Sequence, residues 1–274
     1  MLSRARHVRV GRLERLVDAV IDRSVPAWDH RRHYSGPPER TTAYLLVLDT
    51  INFSFWGGHT GYWELAARLR DLFQGDDSLA DPARLAKLTP ARLGELLGPM
   101  PMLEQRAQAL RELGRRGLEG LVRKTAAGTA RALAESLASY ADVVEYDGHD
   151  VPLLKRAQIL SADLHGAGVV SFADLADLTC FADYKLPQLL RHFGALEYSE
   201  PLRRRVDGYE ELSAGEPMEV EIRAATVVAV ERLRDALARR GRELCAAEVD
   251  WILWDLSHNL KLARPYHRVR TIFY

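Results

Sequence analysis

TCFADYKLPQLLRHFGAL, residues 179–196, carries the marks of a helix entered through an acidic turn. Proline suits a first turn, where a backbone N–H would have no partner to lose, and glycine suits the left-handed end of a helix. Taking Pro187 as the first helical residue and Gly194 as the terminator leaves Asp183 at the helix mouth. The positive end of the helix dipole there favours a carboxylate.

Helical signals extend from this stretch in both directions. Downstream, Glu216-Pro217 opens a long helix with Val220, Val227, Val230, Leu233 and Leu237 on one face, and Ala246–Leu256 makes the last helix. Upstream, TTAYLLVLDTINFSFWG, residues 41–57, is a nearly continuous apolar run and must be central. Its end places Phe53, Phe55 and Trp56 at a chain reversal before Gly57-Gly58. From Thr60 to Ala138 short helices are expected over Tyr62–Phe73, Thr89–Leu97, Met102–Leu113 and Leu118–Leu137, with Thr89-Pro90 and Ser78 as starts. Val8, Leu13, Leu16, Val17, Val20 and Ile21 predict a first helix. The segment 24–40 reads as a surface loop and 142–150 as another loop, with Pro152 opening a helix and a brief helix over SFADLADL. The tail PYHRVRTIFY, residues 265–274, suits a short strand or an extended segment. The expected fold is mainly α, in one helical domain over residues 1–274, as a single body or as two lobes with a pocket between them.

Composition narrows the function. The 38 Lys+Arg balance 38 Asp+Glu over 274 residues, whereas a protein that grips duplex DNA carries a basic excess. No stable nucleic-acid complex and no membrane span are expected, since no apolar stretch approaches the length of a spanning helix. Two cysteines, Cys180 and Cys245, are too few for a disulfide framework and point to reduced thiols in the cytoplasm. The absence of HExxH, of clustered Cys/His ligands and of phosphate-binding glycine patterns gives no support to metal or nucleoside-triphosphate chemistry, so neither metal nor cofactor is expected.

Asp183 is the strongest candidate for chemistry. An N-glycosidic bond breaks through a sugar cation, and a fixed anion beneath the anomeric carbon stabilises that transition state and orients the attacking water. An aspartate in this place also serves as an ordinary helix cap, and the residues alone favour that plainer role. Phe53, Phe55 and Trp56 suit a flat heterocycle and equally an aromatic core. In the last helix Trp251 with Asp255, and Asp250 with Trp254, stand four apart and share faces; one pair can look inward, as a pocket or as a buried ion pair. Glu221 and Arg223, two apart, do not face one another and are assigned a structural role.

FADYKLPQLLRHFGAL, DVVEYDGHDVPLLKRAQILSADLH, INFSFW, EVEIRAATVVAVERL, EVDWILWDLSHN and PYHRVRTIFY together resemble the queuosine salvage protein family over nearly the whole chain. The resemblance implies an N-glycosidase that hydrolyses queuosine 5′-monophosphate and releases queuine, a 7-deazaguanine base, on a fold similar to helix-hairpin-helix DNA glycosylases. It implies Asp183 as the catalytic carboxylate, since that fold carries one just ahead of a buried helix. Around it, Phe53, Phe55, Trp56, Trp254 and Asp255 are the candidates for the base, with Asp255 preferred as reader. Lys155, Lys185, His267, Arg268, Arg270 and Tyr274 are the candidates for the 5′-phosphate. A 7-deazapurine has no N7 to protonate, so His149 and His165 have no acid to supply there. The segment 89–114 has the flavour of a helix-hairpin-helix but no glycine-rich hairpin to hold a DNA phosphate. A base-excision enzyme acting on DNA or RNA, and a non-catalytic nucleoside-binding module, are the rival readings.

Overall fold

The computed structural model describes residues 4–58, 60–75 and 79–274. In chain order the elements are β1 (Val8–Val10), α1 (Glu14–Val20), α2 (Pro38–Thr50), α3 (Tyr62–Gln74), α4 (Pro82–Leu85), α5 (Pro90–Leu97), α6 (Leu103–Arg116) and α7 (Ala126–Ser136). There follow β2 (Val143–Tyr146), β3 (His149–Pro152), α8 (Lys155–Gly166), α9 (Lys185–Phe193), β4 (Leu196–Tyr198) and α10 (Glu200–Asp207). The chain closes with β5 (Glu211–Leu212), α11 (Pro217–Arg239), α12 (Ala246–Asn259) and β6 (Arg268–Val269). The described chain is therefore mainly helical, with strands only in two-membered pairs.

Two compact units divide the chain. The first comprises residues up to Pro26, Val143–Lys155 and Leu175–Arg270. Its centre is α11, buried on every side from Glu219 to Thr226 and then along Ala229, Val230, Leu233 and Leu237. Each large aliphatic side chain so enclosed stabilises the fold by about 1.5–3 kcal/mol. Helices α1, α9 and α12 and strands β1 and β4 pack against it. The second unit comprises Ala27–Asp142, Arg156–Asp174 and Thr271–Tyr274. There α2 is the central helix, with Ala43 to Thr50 buried without a break, and α3 and α6 pack on it.

The helix signals at Thr89-Pro90 and Glu216-Pro217 are met in place. Thr89 Oγ1 accepts the Arg92 N–H at 3.1 Å, and Pro217 is the first residue of α11. Ser78 lies outside the described residues. The remaining boundaries depart from expectation for identifiable reasons. Val8 joins strand β1, antiparallel to β4, because the N–H groups of Arg6, His7 and Val8 all donate to the Glu221 carboxylate and are not available to a helix. The helix begins only at Glu14. Residues 143–152 form a β-hairpin rather than a loop and helix start: Asp147 and Gly148 both take positive φ (49° and 74°), the pair that a tight hairpin turn requires. SFADLADL yields only a 3-10 turn at Leu175–Asp177, and its Asp174 instead caps α7 through the N–H groups of Ala126 and Ala127. Together with Thr125, whose Oγ1 accepts the Gly128 N–H at 3.1 Å, that cap sets the start of α7 at Ala126, well after Leu118. In the segment 24–37, expected at the surface, His33 and Tyr34 are buried; the His33 ring stacks on Trp28, and His33 Nδ1 lies 3.0 Å from the Tyr44 hydroxyl.

Candidate active site

Helix α9 starts two residues before Pro187, at Lys185. The local sequence explains how. Asp183 Oδ1 accepts the N–H of Lys185 at 2.7 Å and of Leu186 at 3.0 Å, and Pro187 has no N–H to satisfy. One carboxylate oxygen thus serves the first two amides of the helix, and among the described residues Oδ2 accepts no hydrogen bond. Asp183 is only 8 % exposed. The capping role and a chemical role are compatible, because they use different oxygens.

The residues just before Asp183 are fastened from two other helices of the same unit. Asp250 Oδ2, on α12, accepts the Phe181 N–H at 2.7 Å, and Arg223 Nε, on α11, donates to the Ala182 carbonyl at 3.1 Å. Burial pushes the Asp250 carboxyl well above the usual aspartate range. The negative charge of Asp183 pushes the same way, against the Phe181 N–H and the Lys155 charge. These opposing influences leave Asp250 biased towards its protonated form. Burial lowers the pKa of Lys185, opposed by Asp183, and its Nζ donates to Gln188 Oε1 at 3.3 Å. Gln188 in turn donates to the Arg264 carbonyl, and Tyr184 lies against Tyr266 with ring centroids 4.9 Å apart.

The remaining sequence candidates are placed as follows. In the first unit the charge of Lys185 acts with Asp183 and that of Lys155 with Asp250. Asp255 is half-buried and takes the Asn259 side-chain N–H at 3.0 Å on its own helix, while Trp254 lies against His258 at 4.1 Å. The acid of α12 that reaches the Asp183 turn is Asp250, not the preferred Asp255. A stripe at helical spacing, Ala246, Asp250, Leu253 and Ser257, all buried, was the signal that would have singled it out. His267 is buried, and its pKa is pushed down to about 3 by burial, with the Arg223 charge acting in the same direction; it is a neutral imidazole. Arg268 lies over the Tyr209 ring at 4.6 Å and Arg270 pairs with Glu211 at 3.4 Å. In the second unit Phe53 is buried beneath two guanidinium groups, Arg106 at 4.3 Å and Arg156 at 5.1 Å, while Phe55 stays half-buried and Trp56 buried. Tyr274 is buried, and its carbonyl accepts the Ser54 N–H at 2.9 Å.

An open hollow of about 360 Å³ lies at the far end of α9 from Asp183, among Arg15, Arg191, His192, Glu197 and Arg264, and none of the candidates lines it. No group of three or more His, Cys, Asp or Glu among the described residues could hold a metal ion, and no helix of the described chain is long and apolar enough to cross a membrane.

The model of the queuosine salvage protein family matches residues 32–274. Among curated proteins, the queuosine 5′-phosphate N-glycosylase/hydrolase of Sphaerobacter thermophilus is 41% identical, the match covering 91% of this chain and 86% of that one. Proteins of the same name from Dictyostelium discoideum and Mus musculus are 36% and 32% identical, covering 86% and 95% of this chain and 79% and 90% of theirs.

Proposed function

The chain belongs to the queuosine salvage protein family, and we propose that it does what its curated relatives are named for, hydrolysing the N-glycosidic bond of queuosine 5′-phosphate. It is a hydrolase of an N-glycosyl bond, and its product is the 7-deazaguanine base queuine together with the sugar phosphate. Asp183 is the catalytic carboxylate. The observation that carries the assignment is a buried aspartate whose Oδ1 is locked to two helix amides while Oδ2 stays uncommitted, in a turn clamped by two further helices.

The chemistry follows from that arrangement. As the C1′–N bond breaks, its electron pair leaves with the base and positive charge grows on the ribose ring. The Asp183 carboxylate faces that charge already desolvated and fixed, so little reorganisation accompanies the step. Water then bonds to C1′ and loses a proton while the departing ring nitrogen gains one, leaving protons balanced. Lys185, whose charge acts with Asp183, and Lys155, whose charge acts on Asp250, are the phosphate ligands this reading favours, with His267 able to contribute only a neutral imidazole.

The reading requires no metal or cofactor and takes the free nucleotide, not nucleic acid, as substrate in the cytoplasm. A likeness to the helix-hairpin-helix DNA glycosylases, in which an aspartate likewise precedes a buried helix, belongs to the same proposal. Incubation with queuosine 5′-phosphate followed by chromatography tests it: free queuine is expected to accumulate with time and enzyme. Tight binding of the nucleotide with no base released would instead identify a binding module.

A further inference from the structure

We propose that the buried ion pair of Arg223 and Glu219 on α11 is a positioning device that sets the aim of Asp183 by holding the peptide plane from which that residue springs. The inference rests on the assignment of Asp183 as the catalytic carboxylate.

The Ala182 carbonyl and the Asp183 N–H belong to one rigid peptide unit, so fixing the carbonyl fixes the plane that carries the Asp183 Cα. Arg223 Nε–H donates to that carbonyl at 3.1 Å. Its guanidinium lies 3.6 Å from Glu219 Oε1, one helical turn earlier, and the two side chains are only 1% and 2% exposed. Glu219 is itself held at its other oxygen by the Gly215 N–H, 3.1 Å away. The chain of contacts therefore runs from the loop before α11, through two buried charges, to the residue preceding Asp183.

A structural role alone would not call for ions here. Two charges enclosed on an apolar helix are costly, and apolar residues of similar volume commonly serve stability as well or better. What an arginine supplies that an apolar residue does not is a planar, permanently charged donor with one N–H in a fixed direction. Glu219 provides the counter-charge, and His267 remains neutral next to the guanidinium, so Arg223 meets no opposing cation there. Lysine in place of Arg223 would keep the charge and lose the directed Nε–H.

The test compares Arg223→Lys, Glu219→Gln and Asp183→Asn in the full-length protein, with kcat and KM for queuosine 5′-phosphate measured per folded molecule. In Arg223→Lys, kcat is expected to fall about 100-fold, the scale of an ångström of misplacement at a reacting centre, while KM stays within about threefold. Glu219→Gln, which leaves the guanidinium in place and removes only its counter-charge, is expected to lower kcat about tenfold at similar KM. If Arg223→Lys does not fold, Glu219→Gln decides the matter. Wild-type kcat in a folded form of either variant, or a loss of activity that tracks only the loss of folded protein, would overturn the proposal. Asp183→Asn keeps the two failures apart: if it retains turnover, the catalytic assignment itself falls; if it is inactive while the α11 variants are unaffected, only the positioning role does.

Discussion

Two turns of this protein are held by buried arginines, and they use them to opposite ends. In the turn 51–56, Arg106 donates to the carbonyls of Ile51, Phe53 and Ser54, and Arg156 to those of Asp49, Thr50 and Ser139. Both guanidinium groups also lie over the Phe53 ring, so the turn is filled by its own fastenings. In the turn 181–186, a single arginine holds the Ala182 carbonyl, the Asp250 side chain holds the Phe181 N–H, and Asp183 keeps an oxygen to spare. The first arrangement commits its guanidinium groups to backbone carbonyls and an aromatic ring to build a wall. The second leaves Asp183 Oδ2 without a hydrogen bond among the described residues.

The contrast can be broken at either turn. Replacing Arg106 with Ala strips several buried carbonyls of their donor at once and is expected to cost about 3 kcal/mol or more in a urea titration; a loss below about 1 kcal/mol would show that the turn 51–56 does not depend on it. Asp183→Glu keeps the charge and moves it by one methylene, so kcat should fall about 100-fold with little change in the unfolding midpoint. Equal losses of stability and activity would mean that Asp183 is chiefly a cap.

A smaller effect is expected at Glu221, whose carboxyl anchors strand β1. Burial raises its pKa, but the N–H groups of Arg6, His7 and Val8 and the Tyr146 hydroxyl outweigh that and hold it below the ordinary value of 4.5. A depressed folded value means that its contribution to stability is complete above the ordinary value and is lost as the pH falls through the folded one. The urea midpoint of the wild-type protein should therefore drop more steeply in acid than that of Glu221→Gln; parallel curves would remove Glu221 from the account.

What the sequence made legible was local. Thr89-Pro90, Glu216-Pro217 and Gly194 announce helix ends by their own chemistry, and Asp183 stands at the entrance of α9 as Asp-Tyr-Lys-Leu-Pro suggests. Asp147-Gly148 between Val143-Val144 and Val151 is an equally local hairpin signal, yet by composition the stretch 142–150 reads as a loop. What could not be read depended on partners far along the chain. Val8 fits a helical stripe by spacing, and only a carboxylate 213 residues away draws it into a strand. Asp250 and Asp255 are indistinguishable as acids, and burial against the Phe181 amide separates them. Phe53 suits a base stack until two arginines from distant helices are seen to cover it.

The most direct test of the central claim is single-turnover hydrolysis of queuosine 5′-phosphate by Asp183→Asn, with nucleotide binding and the unfolding midpoint measured on the same sample. Binding and stability close to those of the wild-type protein, with release of queuine slowed at least about 1,000-fold, is the predicted result. Release at the wild-type rate would contradict it, because the amide still caps α9 through its oxygen but no longer brings a negative charge to C1′.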